Sequence, residues 1–182
     1  MATRAPIRTE SRPRRIAVVS TASACGKTTL GRTLAEKLGA TFVELDALVH
    51  GPGWVETPDE VLRAKVAPIL EQERWVVDGN YRRRVGDLVL PRADLVVWLD
   101  LPVRVWLPRL AWRTLRRDIT REELWNGNRE SLRAAVWGRD SLFGFALRTY
   151  RRRRAEWPAL LAPYPYVRLT SPGEVRRFLE RV

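Results

Sequence analysis

Short apolar runs alternate with longer segments of helical period along most of this chain. Each run is three to six residues long, is rich in Val, Leu and aromatic residues, and is followed by a polar or glycine-containing turn. Apolar strands that alternate with helices indicate a parallel sheet that is covered by helices on both faces. The pattern predicts an α/β fold with five parallel strands at residues 15–20, 41–45, 75–77, 95–99 and 166–169.

The predicted helices carry start and stop signals. The first covers 27–38, with leucines at positions 30, 34 and 38 on one face and Gly39 as its C-cap. The series Thr57-Pro58-Asp59-Glu60 predicts a capping box, with Thr57 as N-cap of the second helix. A third helix is predicted at 103–117, helical patterns recur up to about 157, and a last helix starts at Pro172.

The segment between the first strand and the first helix predicts a phosphate-binding loop. Gly26-Lys27-Thr28 stands where strand, loop and helix follow one another, the context that a P-loop requires. Backbone N–H groups of such a loop bind phosphate, the lysine reaches the β- and γ-phosphates, and the hydroxyl ligates Mg²⁺. The residues predicted to bind ATP here are Ala24, Cys25, Gly26, Lys27, Thr28 and Thr29.

The loop departs from the full motif G-x-x-x-x-G-K-[ST]. Thr21 replaces its first glycine, and Ala24 stands where related loops have another. A residue other than glycine at positive φ costs roughly 1–2 kcal/mol. If position 24 requires positive φ, the nucleotide site is weakened; an ordinary helix start after a strand remains the alternative interpretation.

Three aspartates follow successive predicted strands. Asp46, Asp78 and Asp100 come directly after the second, third and fourth strands. In open α/β sheets the ligand crevice lies outside the carboxyl ends of the strands. Each aspartate alone is equally explained as a turn or capping residue, but three beside a P-loop favour a site.

The charge distribution narrows the classes of partner. The chain has 182 residues and a net charge of +12, and the excess lies in two regions. Residues 1–15 carry five arginines and one glutamate, and residues 101–160 carry fourteen arginines and six acidic residues, with a nearly neutral body between them. Arginine suits bidentate phosphate binding, although a solvated basic surface explains many of these residues equally well.

Other compositional features concern location. The single Cys25 excludes an internal disulfide and fits a reducing, cytoplasmic compartment. No apolar run approaches 18 residues, and residues 1–15 lack the apolar core of a secretory signal, so we expect neither a membrane span nor export.

Two motifs resemble a known group of enzymes. The series Asp78-Gly79-Asn80-Tyr81-Arg82 resembles the Asp-Gly-x-x-Arg of adenylate kinases, and Leu99–Pro102 followed by Arg109 and Arg113 resembles their next signature. Within that group the chain is most similar to small bacterial kinase-like proteins called DNA topology modulation (FlaR-like) proteins. That likeness rests on the stretches 75–81 and 125–130 and on the Arg-rich stretch that ends at Trp157.

The resemblance implies a P-loop NTPase fold with an Arg-rich helical lid at about 114–147, in a kinase-like domain 15–182 preceded by a disordered basic arm, 1–14. It implies ATP and Mg²⁺ as cofactors and Lys27, Asp78 and Arg113 as catalytic residues, with Thr28 and Asp78 at the metal. Arg109 would flank the adenine, and Arg82 would meet a phosphate on the acceptor side.

The acceptor side departs from adenylate kinases. No arginine occurs between Asp46 and Arg63, where those enzymes place one for the AMP phosphate, and His50 and Trp54 stand there instead. Asp46, Arg82 and Arg148 are the predicted substrate ligands, and Arg148 and Arg152 are the only arginines from 148–154 that we expect at the site.

We therefore expect a monomer that transfers a phosphoryl group from ATP to a small molecule, with a nucleotide as the leading acceptor. Two alternatives remain: a kinase for a non-nucleotide metabolite, favoured by the missing arginine, and a nucleic-acid-binding regulator, favoured by the basic arm and the Arg-rich segment. We do not favour nucleic acid, and we expect no membrane partner.

Overall fold

A computed structural model describes residues 12–128 and 142–182 of the chain. Its centre is the predicted parallel sheet of five strands, arranged in the order β2-β3-β1-β4-β5. The phosphate loop therefore leaves the central strand, and its neighbours end at the same edge. The strands are β1 (Arg15–Ser20), β2 (Thr41–Glu44), β3 (Trp75–Asp78), β4 (Leu95–Leu99) and β5 (Tyr166–Leu169).

Helices cover both faces of the sheet. They are α1 (Lys27–Leu38), α2 (Leu45–Val49), α3 (Asp59–Leu70), α4 (Arg82–Val89), α5 (Val103–Thr120), α6 (Leu142–Leu161) and α7 (Pro172–Arg181). Short 3-10 helices occupy Pro52–Trp54, Leu90–Arg92 and Trp125–Gly127.

Side chains of the central strands alternate between two apolar cores, which is why each run reads as continuously apolar. Ile16 and Val18 of β1 pack with α1, α5, α7 and the first half of α6. Ala17 and Val19 pack with α3, α4 and the end of α6. Helix α6 contributes to both cores, so it passes the sheet edge where the phosphate loop lies.

Several predicted boundaries are wrong in detail. Thr57 does not cap a helix, because its hydroxyl donates to the carbonyl oxygen of Leu48 at 2.8 Å and α3 begins at Asp59. Strand β2 ends at Glu44, and Asp46 lies in the first turn of α2 rather than at a strand end. Helix α4 was not predicted, and α5 extends three residues beyond 117, to Thr120.

Parts of the expected arm and lid fall outside the described residues, namely 1–11 of the arm and 129–141 of the lid. In the part of the arm that is described, the backbone N–H of Arg14 donates to Asp94 at 2.9 Å. Among the described helices, none is long and apolar enough to cross a membrane.

Candidate functional site

The loop between β1 and α1 has the backbone of an anion-binding turn. Ala24 has φ 57° and Gly26 has φ 87°, so position 24 does require the left-handed conformation that glycine adopts freely. Thr21, at the other substituted position, does not have positive φ. Its buried hydroxyl accepts from the indole N–H of Trp98 and donates to Asp100, both at 2.8 Å. The threonine thus joins the loop to β4.

Lys27, Thr28 and Asp78 form a cluster at the start of α1. The Thr28 hydroxyl donates to Asp78 Oδ2 at 2.7 Å, and Lys27 Nζ lies 3.5 Å from Asp78 Oδ1. Burial raises the pKa of Asp78, and the nearby Asp46 adds to the rise, while Lys27 and Thr28 oppose it. Asp78 Oδ1 is buried and accepts no hydrogen bond from the described residues. The cluster therefore holds a carboxylate that a further cation would stabilise.

The turn after β3 is tied to the phosphate loop. Asn80 accepts from the Ser20 N–H at 2.9 Å and donates to the Ser20 carbonyl at 3.0 Å. Gly79 has φ 154°, and a Cβ there would come within 2.8 Å of Leu45 Cβ. Glycine is required at position 79 because its φ is positive and because the turn after β3 approaches the start of α2 closely.

Asp100, which follows β4, differs from Asp78, which is the last residue of β3. It accepts from the Thr21 hydroxyl and from Arg168 Nε at 2.9 Å, and Arg154 Nε lies 3.4 Å away. Each oxygen of this buried carboxylate has a partner. Asp100 thus joins β4, β5 and α6 to the phosphate loop.

Asp46 faces the same edge from α2. Its Oδ1 accepts from the hydroxyl of Tyr81 at 2.6 Å, and that hydroxyl lies 3.1 Å from His50 Nε2. No residue in the ranges 12–128 and 142–182 bonds the other oxygen of Asp46. The site therefore pairs the phosphate-loop cluster with a carboxylate that has one open oxygen.

Two separate segments form the wall beside Asp46. The His50 ring stacks on Trp125, with centroids 5.8 Å apart and planes at 29°, and it meets Trp54 edge-on at 5.4 Å. Asn126 Nδ2 donates to the His50 carbonyl at 2.6 Å, and Asn128 Oδ1 accepts from the Trp54 N–H at 2.9 Å. Residues 125–128 of the predicted lid thus pack against the loop that follows Asp46.

Two arginines on the acceptor side form ion pairs with carboxylates of the chain. Arg63 forms a bidentate pair with Asp87 at 2.8 and 2.6 Å. Arg84 is paired with Asp59 and lies 3.4 Å from Glu56. Neither guanidinium is open for an acceptor phosphate in this arrangement.

The remaining predicted arginines are dispersed. Arg82 is exposed at the start of α4, Arg109 is exposed on α5, and Arg148 is exposed on α6, whereas Arg113 is half-buried. Arg116, one turn beyond Arg113 on α5, pairs with Glu122 at 3.3 Å.

Arg153 is the arginine that the sequence prediction missed. Arg153 is half-buried; burial and the neighbouring Arg152 lower its pKa, while the charges of Asp46, Cys25 and Tyr81 oppose that change, so its guanidinium interacts electrostatically with Asp46. The helical spacing of the sequence could have indicated this residue. Arg153 follows Tyr150 by three residues and precedes Trp157 by four, so it shares a helix face with these two buried aromatic residues.

Comparisons with known proteins agree with this geometry. A family model for shikimate kinase matches residues 23–77, from the phosphate loop through β3. A shikimate kinase of Synechococcus elongatus is 34% identical over 98 residues, which is 47% of this chain and 52% of the relative. A shikimate kinase of Gloeobacter violaceus is 34% identical over 107 residues, with 47% and 55% covered. The chain thus spans about half the length of the curated relatives it matches.

Solved structures extend the likeness to nearly the whole chain. A shikimate kinase from Bacteroides thetaiotaomicron matches with a TM-score of 0.57 at 16% identity, covering 93% of this chain and 96% of that one. A shikimate kinase from Acinetobacter baumannii, solved with shikimate, gives 0.55 at 18% identity, covering 92% and 89%. A gluconokinase from Sinorhizobium meliloti gives 0.51 at 21%, covering 93% and 95%.

These matches support the resemblance to P-loop kinases and give no support to its finer form, the likeness to adenylate kinases and DNA topology modulation proteins. Their agreement with the strand order and the position of the phosphate loop leads to one conclusion: this chain has the α/β fold of P-loop kinases, with a five-stranded parallel sheet flanked by helices.

Proposed function

We propose that this chain is an ATP- and Mg²⁺-dependent kinase that phosphorylates a hydroxyl group of a small, non-nucleotide metabolite. One observation carries the proposal. The phosphate-loop cluster of Lys27, Thr28 and Asp78 lies close enough to Asp46 for the two carboxylates to interact, and Asp46 keeps one oxygen open. A phosphate site beside an open carboxylate is what transfer to a hydroxyl group requires.

On the nucleotide side, the loop N–H groups and Lys27 would bind the ATP phosphates. Thr28 and Asp78 would hold Mg²⁺, and Asp78 Oδ1 fits that assignment because it is buried, accepts no hydrogen bond from the described residues and has Lys27 only at the longer distance of 3.5 Å. Among the described residues no group of three or more His, Cys, Asp and Glu could hold a metal, so phosphate oxygens would complete its ligands. When bound, Mg²⁺ neutralises phosphate charge.

On the acceptor side, Asp46 would orient the hydroxyl and accept its proton through the open oxygen. Alignment of the acceptor hydroxyl oxygen with the transferring phosphate supplies much of the catalysis in phosphoryl transfer, because the protein contributes mainly positioning and charge. Arg153 would bind an anionic group between the two halves of the site, because a desolvated guanidinium is stabilised by an anion.

Arginines outside the predicted lid would complete the enclosure. As the sequence resemblance implied, Arg113 would contact the transferring phosphate, Arg109 the nucleotide and Arg82 the acceptor. Arg148, a substrate ligand predicted from the sequence, would also reach the acceptor. A lid that closes over these groups excludes water and limits hydrolysis of ATP.

A metabolite is favoured over a nucleotide by two facts. The arginines beside the acceptor loop, Arg63 and Arg84, are engaged with Asp87 and Asp59 and are not open to an AMP phosphate. The matched relatives are named for shikimate and gluconate rather than for nucleotides. This reverses the order of the two kinase hypotheses that the sequence motifs suggested.

The test is ADP release with Mg²⁺-ATP and each of shikimate, gluconate and AMP, with mass spectrometry of the products. We expect phosphorylation of a hydroxylated acid and none of AMP. AMP as the fastest acceptor would restore the nucleotide kinase hypothesis. Absence of turnover on all three, together with DNA affinity that falls steeply with salt, would favour the nucleic-acid-binding regulator.

A further inference from the structure

We propose that Tyr81 and His50 are positioning residues, which hold Asp46 in one orientation so that its open oxygen faces the acceptor hydroxyl. This inference rests on the proposed function, because it assigns a task to Asp46. Tyr81 lies in the motif Asp78-Gly79-Asn80-Tyr81-Arg82, and His50 is the single histidine of the chain. The proposed function assigns no role to either side chain.

The direction of the hydrogen bonds follows from the chemistry of the three groups. Burial raises the pKa of Tyr81, and the adjacent Asp46 raises it further, so the phenol keeps its proton. Asp46 is a carboxylate and can only accept, so the Tyr81 hydroxyl donates to Asp46 Oδ1 at 2.6 Å. The phenol oxygen then accepts from His50 Nε2, 3.1 Å away. Nε2 of the imidazole must therefore carry the proton.

The other imidazole nitrogen agrees with this assignment. His50 Nδ1 is buried and has no hydrogen-bond partner among the described residues. A buried N–H without an acceptor is costly, so a proton at Nδ1 would be unfavourable while Nε2 has the Tyr81 oxygen within reach. The hydrogen-bonded chain therefore runs from His50 through Tyr81 to Asp46, and each member fixes the next.

The imidazole is itself held from the lid side. Trp125 stacks on one side of the ring, and Trp54 meets it edge-on. Trp54 and Asn126 both have positive φ, 62° and 56°. Both segments that surround the imidazole therefore contain a strained backbone position. Asn128, which is only 4% exposed, bonds Trp54 and Gly51 together and so stabilises the strained turn.

The consequence concerns the freedom of Asp46. A carboxylate on the five-residue helix α2 would otherwise rotate about its side-chain torsions and present either oxygen. With Oδ1 held by Tyr81, Oδ2 is the oxygen that faces the ligand. Catalytic groups must be held within a fraction of an ångström of their productive geometry, and a chain of hydrogen bonds does this without contacting the substrate.

The first experiment reads the histidine tautomer and needs no acceptor. The chain contains one histidine, so a long-range ¹H–¹⁵N correlation spectrum of the full protein in alkaline solution reports on His50 alone. We expect the Nε2–H tautomer in the wild type and loss of that preference in Tyr81→Phe. The Nδ1–H tautomer in the wild type would overturn the hydrogen-bonded chain.

The second experiment separates positioning from structure. The amide nitrogen of glutamine can replace Nε2 of histidine, whereas that of asparagine stands nearer the backbone, where Nδ1 is. We expect Tyr81→Phe and His50→Asn to lower kcat by roughly tenfold with little change in KM for the acceptor, and His50→Gln to retain most of kcat. Tyr166→Phe, at the opposite end of the sheet, is the matched control.

Two results would contradict the positioning role. One is wild-type kcat in Tyr81→Phe, and the other is an equal loss in His50→Gln and His50→Asn. The acceptor is whichever of shikimate, gluconate and AMP the wild type phosphorylates fastest. If the wild type phosphorylates none of them, the proposed function and the positioning role both fail, while the tautomer still decides whether the hydrogen-bonded chain exists.

Discussion

The two halves of the site are built in different ways. The nucleotide half consists of one loop, the start of α1 and the end of β3, so its main groups lie within 20–28 and at Asp78. The acceptor half combines side chains of α2, the 50–54 loop, Tyr81 and the segment 124–128. Local sequence thus determines which chemistry the site can perform, whereas contacts between distant segments determine what it can act on.

The largest expected effect is in the nucleotide half. Lys27→Ala should reduce turnover by at least about a hundredfold, because a charge that acts on the phosphates is removed from a water-excluded site. The thermal transition should move little, since the ion pair with Asp78 at 3.5 Å is long. Lys65→Ala, exposed on α3, is the control. Turnover like that of the wild type in Lys27→Ala would disprove the P-loop assignment.

A second prediction contrasts the aspartate that ends β3 with the aspartate that follows β4. Asp78→Asn should lower kcat by about tenfold or more, or roughly 1.4 kcal/mol, because Mg²⁺ would lose a carboxylate. Asp100→Asn should chiefly lower the free energy of unfolding, by on the order of 2 kcal/mol, because Arg154 and Arg168 lose their buried partner.

Steady-state kinetics and thermal unfolding of both variants decide the matter. A larger fall of kcat in a stable Asp100→Asn protein would reverse the assignment of the two residues.

The boundary between the halves is tested by two adjacent arginines of α6. Arg153→Ala should raise KM for the acceptor by about tenfold, because a half-buried guanidinium that interacts electrostatically with Asp46 would be lost. Arg152→Ala, exposed on the same helix, should change KM by less than about twofold. Equal effects would show that the charge of the helix, rather than the position of Arg153, acts on the acceptor.

The smallest effect is expected in the phosphate loop. Ala24 has φ 57°, so glycine should relieve roughly 1–2 kcal/mol of strain in the folded protein. The greater flexibility of unfolded glycine offsets about half of that. Ala24→Gly should therefore raise the free energy of unfolding slightly and leave ATP affinity within about twofold. Calorimetry that shows fivefold tighter ATP binding would mean that the free loop adopts another conformation.

The sequence predicted the elements whose signals are local. Strand positions, the phosphate loop and Asp78 followed from apolar runs, from Gly26-Lys27-Thr28 and from a polar residue at a strand end. The capping box at Thr57 failed because its hydroxyl bonds Leu48, nine residues earlier, and local spacing cannot reveal such a competitor. The sequence favoured Arg148 and Arg152 over Arg153, because only the fold shows that Arg153 is half-buried while the other two are exposed.

The acceptor half was outside the reach of pattern reasoning for the same reason. The sequence showed only that His50 and Trp54 stand where adenylate kinases place an arginine. Two partners of His50, Tyr81 and Trp125, lie 31 or more residues away along the chain. Nothing in the spacing of these four aromatic and imidazole side chains indicates that they meet.

Asp46→Asn is the measurement that separates the two halves most directly. Asparagine keeps the volume of the side chain but is a poor proton acceptor, so ATP affinity should stay within about twofold while acceptor-dependent ADP release falls by at least about a hundredfold. Calorimetric ATP titration and ADP release with the preferred acceptor give both values for one protein. Retained turnover, or loss of ATP binding, would contradict the division of this site into a phosphate-binding half and an acceptor half.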